Sequence, residues 1–179
     1  MQKEIVVIIG GPGSGKTSII NHLMSLGYCC LEEVSRQVIL EAKAAGIDQL
    51  FLTEPVLFSQ KLLHGRINQY KNAQLAEQNL VFIDRGIPDI VAYMEYIGDD
   101  YLAEFHEAAL QHKYNKIFVL PPWQDIYVSD NERYESYDQA QQIYNYLIDT
   151  YKSYGYELIE VPKETVDNRV LFILNQLKN

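Results

Sequence analysis

Basic residues are in short supply in this chain. Lys and Arg number 15 against 24 Asp and Glu, a formal net charge of −9 over 179 residues. A nucleic-acid surface shows a basic stripe or face, and the sequence contains none, so an anionic ligand must be held by local charge against the global field. Cysteine is almost absent. Cys29 and Cys30 are adjacent in a strand-like stretch, where successive side chains point to opposite faces, which argues against a disulfide between them. They read as two buried thiols of a reducing compartment, with no zinc-ligand cluster. The four histidines, His22, His64, His106 and His112, show no metal spacing. No apolar run approaches the ~20 residues of a membrane span, and MQKEIVVII reads as a core strand rather than a leader. Repeats, low-complexity tracts and linkers are also lacking. A soluble, cytoplasmic, single-domain protein over residues 1–179 is expected, with 47% hydrophobic residues to build its core.

The most informative stretch is IIGGPGSGKTS, residues 8 to 18. Gly10, Gly15, Lys16 and Thr17 fit the phosphate-loop (Walker A) pattern G-x-x-x-x-G-K-[ST]. The flanks suit it: Ile5 to Ile9 is a β-branched run expected of a strand buried on both faces, and Ser18 to Leu26 is expected to be a helix stopped by Gly27. The glycines let the backbone curl so that N–H groups and a helix N-terminus face an anion. Nucleotide is therefore expected on Gly11, Pro12, Gly13, Ser14, Gly15, Lys16, Thr17 and Ser18. Lys16 would reach the β- and γ-phosphates, and the Thr17 hydroxyl would ligate Mg²⁺.

Strand-like and helix-like segments alternate along the rest of the chain. Further strands are expected at 28–31, 80–83, 116–120 and 156–161, with helices at 33–45, 53–78, 88–97, 100–112, about 140–151 and after Thr165. This alternation implies an α/β fold of three layers, a five-stranded parallel sheet with helices on both faces. Ligands in such folds lie beyond the carboxyl ends of the strands, and charged residues collect there. Asp84 ends the apolar strand LVFID, a usual place for a carboxylate that holds Mg²⁺ through water, or else a capping or ion-paired Asp. Arg85 beside it either contacts a phosphoryl group or pairs with a neighbouring carboxylate. Glu33, after the second strand, is placed to take a proton from an attacking hydroxyl, with Arg36 on the same side of a helical turn; a surface ion pair between the two is the plain alternative. Arg133 lies in a polar segment, about residues 122–136, that reads as a lid supplying positive charge. Arg36, Asp89 and Tyr93 are candidates for the acceptor pocket, although Asp89 can equally cap the helix starting near Pro88. Ten of the fourteen tyrosines fall between residues 101 and 156; packing or a partner surface would each account for them.

The phosphate-loop classes separate by what is missing. Asn115-Lys116-Ile117-Phe118 lacks the Asp of a guanine-reading NKxD motif, no LSGGQ-like signature is present, and Asp84 is followed by Arg rather than the water-activating Glu of ring ATPases. The compact kinase plan remains. The motifs GGPGSGKTS, EEVSR, FIDRGIPDIVAY, LPPW with YVSDNERYE, and GYELIEVP with TVDNRV together resemble the small AAA-type ATP-binding domain family that includes the kinase domain of the nicotinamide-riboside kinase regulator NadR and the TRP-translocation-defect proteins. The resemblance spans nearly the whole chain. It implies a nucleoside- or nucleotide-kinase-like P-loop NTPase fold and ATP or nucleotide binding, with Lys16, Thr17, Glu33, Arg36, Asp84, Arg85 and Arg133 in the roles given above. The leading expectation is an ATP- and Mg²⁺-dependent kinase of a small-molecule acceptor, with GTP as a second candidate nucleotide. The alternative is a nucleotide-switched regulatory ATPase or GTPase module, and nucleic acid is not an expected partner.

Overall fold

A computed structural model of the chain describes residues 3–47, 49–127 and 135–178. Five strands, β1 (Glu4–Gly10), β2 (Cys29–Leu31), β3 (Leu80–Asp84), β4 (Lys116–Leu120) and β5 (Leu158–Glu160), form one parallel sheet in the order β2-β3-β1-β4-β5. The central strand β1 is EIVVIIG, with Ile5 to Ile9 fully buried, as its continuous β-branched run requires for a strand covered on both sides.

Alternation along the strands builds two cores. Val6, Ile8, Phe82, Phe118 and Leu120 face α1 (Lys16–Ser25) and α8 (Val166–Gln176). Ile5, Val7, Ile9, Val81, Ile83, Ile117 and Val119 face the opposite layer, where α7 (Tyr137–Ser153) supplies Ile143, Leu147 and Tyr151. Cys29 packs with the second core and Cys30 with the first, so the two free thiols stand on opposite faces of β2. Burial, with Cys29 adding, pushes the Cys30 thiol up to about 12.

A third apolar cluster lies among α2 (Val34–Ala44), α3 (Leu50–Thr53), α4 (Pro55–Leu75), α5 (Pro88–Ile97) and α6 (Ala103–Gln111). The expected strands and long helices are present with shifts of a few residues at their ends. The short helix α3 is an addition, separated from α4 by Glu54 in a non-helical conformation ahead of Pro55, because a residue before proline is driven out of the helical region. Helix α7 starts earlier than its apolar pattern suggests. Ser136 and Gln139 form a reciprocal capping box there. Thr165 caps α8 as expected, its side chain accepting from the Asn168 N–H. Among the described residues, no helix is long and apolar enough to cross a membrane.

Candidate active site

The phosphate loop joins β1 to α1. Gly13 (φ +70°) and Gly15 (φ +89°) occupy the left-handed region that a side chain disfavours. Their neighbours also close in. A Cβ on Gly13 would lie 2.5 Å from the Tyr127 ring, one on Gly11 2.9 Å from the Ala140 carbonyl oxygen, and one on Gly15 2.9 Å from Arg169 Nη1. Lys16 is buried and turned back onto the loop, donating to the carbonyls of Gly10 (2.8 Å) and Gly11 (2.9 Å) and to Ser14 Oγ (3.3 Å). Burial, with Arg85 nearby, brings its ammonium down to about 8, although Asp84, Glu33 and Asp89 pull the other way. Thr17 and Ser18 are exposed at the start of α1.

The ends of β2 and β3 meet beside this loop. Glu33 precedes the first residue of α2 with an extended backbone, and its Oε1 lies 2.8 Å from Arg85 Nε. Burial alone would raise the Glu33 carboxyl. The positive charges of Arg85, Lys16 and Arg66 outweigh it and hold the group at about 2. Arg85 sits at φ 67°, a left-handed conformation that no other described non-glycine residue adopts; such strain persists where surrounding contacts over-determine it. Those contacts are explicit. The Arg85 N–H donates to the Ile8 carbonyl at 3.1 Å, and its Nη1 lies 3.3 Å from Asp89 Oδ1.

Asp89 is the anchor of the DRG loop. Its Oδ2 accepts from the Gly86 N–H (2.9 Å) and from the Tyr151 hydroxyl (2.6 Å), and lies 3.8 Å from Arg66 Nη1. Arg66 also donates to the Gly86 carbonyl, and the Tyr114 hydroxyl accepts from the Ile87 N–H at 3.1 Å. Three residues that carry this loop, Arg66, Tyr114 and Tyr151, were not singled out from sequence. Several of the clustered tyrosines thereby acquire a reason: rings at Tyr70, Tyr114, Tyr151 and Tyr156 pack edge-on or tilted against one another, and two hydroxyls satisfy the loop.

Asp84 is 5% exposed, and its Oδ1 is buried without a hydrogen-bond partner. Burial, with Glu33 adding, pushes its carboxyl up, while Lys16 and Arg85 oppose. An orphaned carboxylate oxygen in a cleft that the exposed Thr17 also lines suits a hydrated divalent cation. Among the described residues, no group of three His, Cys, Asp or Glu could hold a metal ion by itself.

A cleft of about 1240 Å³ opens from this point between α1, α2 and α4. Thr17, Asp84, Glu33 and Arg36 line it, and α4 adds a polar row, His64, Asn68 and Asn72, spaced one helical turn apart. The close approach of α2 to α4 rests on Gly65, where a Cβ would lie 2.3 Å from Val34 Cγ1. Arg36 pairs with no carboxylate among the described residues, because Glu33 is held by Arg85. Asp89 and Tyr93 are not among the described residues lining the cleft: Asp89 lies behind it in the ion-pair network, and Tyr93 is half-buried against Tyr96. Arg133 lies outside the described residues. On the flanks of that segment, the Tyr127 hydroxyl donates to the Glu135 carbonyl.

A family model described as an AAA domain matches residues 5–169. Solved structures with the same fold include a deoxyadenosine kinase from M. mycoides with bound dATP, at 17% identity and TM-score 0.70 over 98% of this chain and 100% of that one. NadR in complex with NR aligns at 16% identity and TM-score 0.73 over 98% of this chain and 50% of NadR. Thymidylate kinase from Ehrlichia chaffeensis aligns at 15% identity and TM-score 0.65 over 99% and 100%. At these identities the likeness is one of fold. No curated protein matches the chain by sequence.

Proposed function

The chain belongs to the AAA domain family, and within it we propose an ATP- and Mg²⁺-dependent kinase that phosphorylates a small hydroxyl-bearing acceptor. The observation that carries this reading is Glu33, held 2.8 Å from Arg85 and lining the cleft that Thr17 and Asp84 also line.

In the proposed reaction the loop amides hold the phosphate chain and Lys16 swings from the Gly10 and Gly11 carbonyls to the β- and γ-phosphates. Thr17 and Asp84 would hold Mg²⁺, which offsets phosphate charge when bound. Glu33 orients the acceptor hydroxyl and takes its proton. At about 2 it is a weak base while Arg85 holds it. When Arg85 turns toward a phosphoryl oxygen, the carboxylate loses its strongest stabilising charge and gains basicity. Arg36 and the polar row of α4 position the acceptor, and Arg133 is proposed to add charge from the lid.

The test is ADP release from Mg²⁺-ATP, and in parallel Mg²⁺-GTP, across a panel of nucleosides, nicotinamide riboside, nucleoside monophosphates and polyols, with Asp84→Asn as the control. Acceptor-dependent stimulation lost in the variant supports the kinase. Tight nucleotide binding with slow turnover that no acceptor changes would overturn it.

A further inference from the structure

Arg169 lies in the first turn of α8 and is 3% exposed. Buried cations are ordinarily matched by carboxylates, because an unpaired desolvated charge is costly. Arg169 has no such match. None of the ion pairs among the described residues includes it, and its hydrogen bonding there consists of Nη2 donating to the Ser14 carbonyl at 3.0 Å. Its Nε is buried with no partner. Burial draws its basicity down with no acidic neighbour to restore it.

The position of this cation says what it lacks. Arg169 Nη1 lies 2.9 Å from where a Cβ on Gly15 would stand, with Ile126 Cδ1 at 3.5 Å. Gly15 is the N-cap of α1, where unpaired N–H groups and the helix dipole already favour an anion. Two positive features side by side repel each other until a negative charge joins them.

We propose that Arg169 binds the phosphate chain of a nucleoside di- or triphosphate, at the end nearer the nucleoside. Loop backbone N–H groups cradle the α- and β-phosphates, whereas the loop lysine reaches the β and γ. Arg169 donates to the loop backbone at Ser14 and stands over the side of Gly15 where a Cβ would be, so its ligand is the part that di- and triphosphates share. This inference rests on the reading of the loop as a nucleotide site and adds to it a residue 155 positions from its loop contact.

Two variants separate charge from clamping. Arg169→Gln keeps an N–H donor for the Ser14 carbonyl and loses the charge, whereas Arg169→Lys keeps the charge. Wild type and both variants are titrated with ADP and ATP at several salt concentrations, and their melting is measured without ligand. Arg169→Gln is expected to weaken ADP and ATP alike by about 10-fold or more, with a shallower salt dependence, and Arg169→Lys to lose less. Unliganded Arg169→Gln should melt no lower than wild type, since an uncompensated buried cation has gone. If Arg169→Gln binds both nucleotides as tightly as wild type, or loses affinity only in step with a lower unliganded melting temperature, Arg169 is a structural clamp and the inference falls. If wild type binds neither ADP, ATP nor GTP, the nucleotide-site reading fails and takes this inference with it.

Discussion

Glu33 Oε1 lies 2.8 Å from Arg85 Nε, although the two residues follow different strands, β2 and β3. The parallel pairing of those strands, Leu31 opposite Ile83, brings their carboxyl ends level and makes the contact. Replacing Glu33 with Gln keeps the shape and removes the proposed proton acceptor. Phosphoryl transfer should fall about 10²- to 10⁴-fold, with ATP affinity within a few-fold of wild type; steady-state kinetics and direct nucleotide titration check the two halves.

The same substitution has a signature in acid. The Glu33 carboxyl is depressed from 4.5 to about 2 in the folded chain. As pH falls through that window the unfolded chain protonates first, so the stability contributed by ionised Glu33 is present above 4.5 and lost toward 2. Denaturant unfolding at pH 6, 4.5 and 3 should show wild type losing more stability across the window than Glu33→Gln.

Lys16 should make nucleotide binding sensitive to alkali. Burial brings its ammonium down to about 8, and phosphate binds the charged form. Above that pH the free protein must take up a proton to bind, so affinity for ATP should weaken by about tenfold per pH unit. Lys16→Arg, which stays charged, should flatten the dependence. Titrations at pH 7, 8, 9 and 9.5 are decisive.

Asp84 carries a cost in the unliganded protein. Its carboxyl is pushed up by burial and its Oδ1 is orphaned, so the ionised form opposes folding above the ordinary carboxylate range. Asp84→Asn should raise the melting temperature without ligand at pH 7. It should also abolish the additional stabilisation that Mg²⁺ gives over ATP with a chelator, as thermal unfolding of both proteins without ligand, with Mg²⁺-ATP and with ATP plus chelator would show.

The loop behind the site depends on a hydroxyl. Tyr151 is fully buried and donates to Asp89 Oδ2 at 2.6 Å, the oxygen that also holds the Gly86 N–H. Tyr151→Phe should cost about 1–2 kcal/mol of stability and lower kcat more than the KM for ATP, because Arg85 loses part of its support. Matched unfolding and kinetic measurements test both.

Residues joined by local spacing were legible in the sequence. The phosphate loop declares itself by the interval from Gly10 to Thr17, and Asp84-Arg85 by standing at the end of an apolar run. The strand-end rule also led to Glu33, though to Arg36 as its companion, because a turn of helix is visible in sequence and a neighbouring strand is not. What stayed hidden depends on distant pairing. Tyr151 meets Asp89 across 62 positions, and Arg66 reaches Gly86 from the middle of a helix. Arg169 follows no strand closely enough for the strand-end rule to find it. Buried hydroxyls and guanidinium groups announce themselves only once their unmet hydrogen bonds can be counted.

The strand order β2-β3-β1-β4-β5 makes β1 a seam. To one side lie Glu33, Arg85 and the α2–α4 cleft; to the other lie Ile126, Tyr127, Ala140 and Arg169, close to the loop glycines. The two flanks meet at the phosphate loop. Under the proposed function, mutations that redraw the α2–α4 wall would change what is phosphorylated while leaving the donor's seat intact. A lineage built on this sheet can therefore inherit one half and rewrite the other.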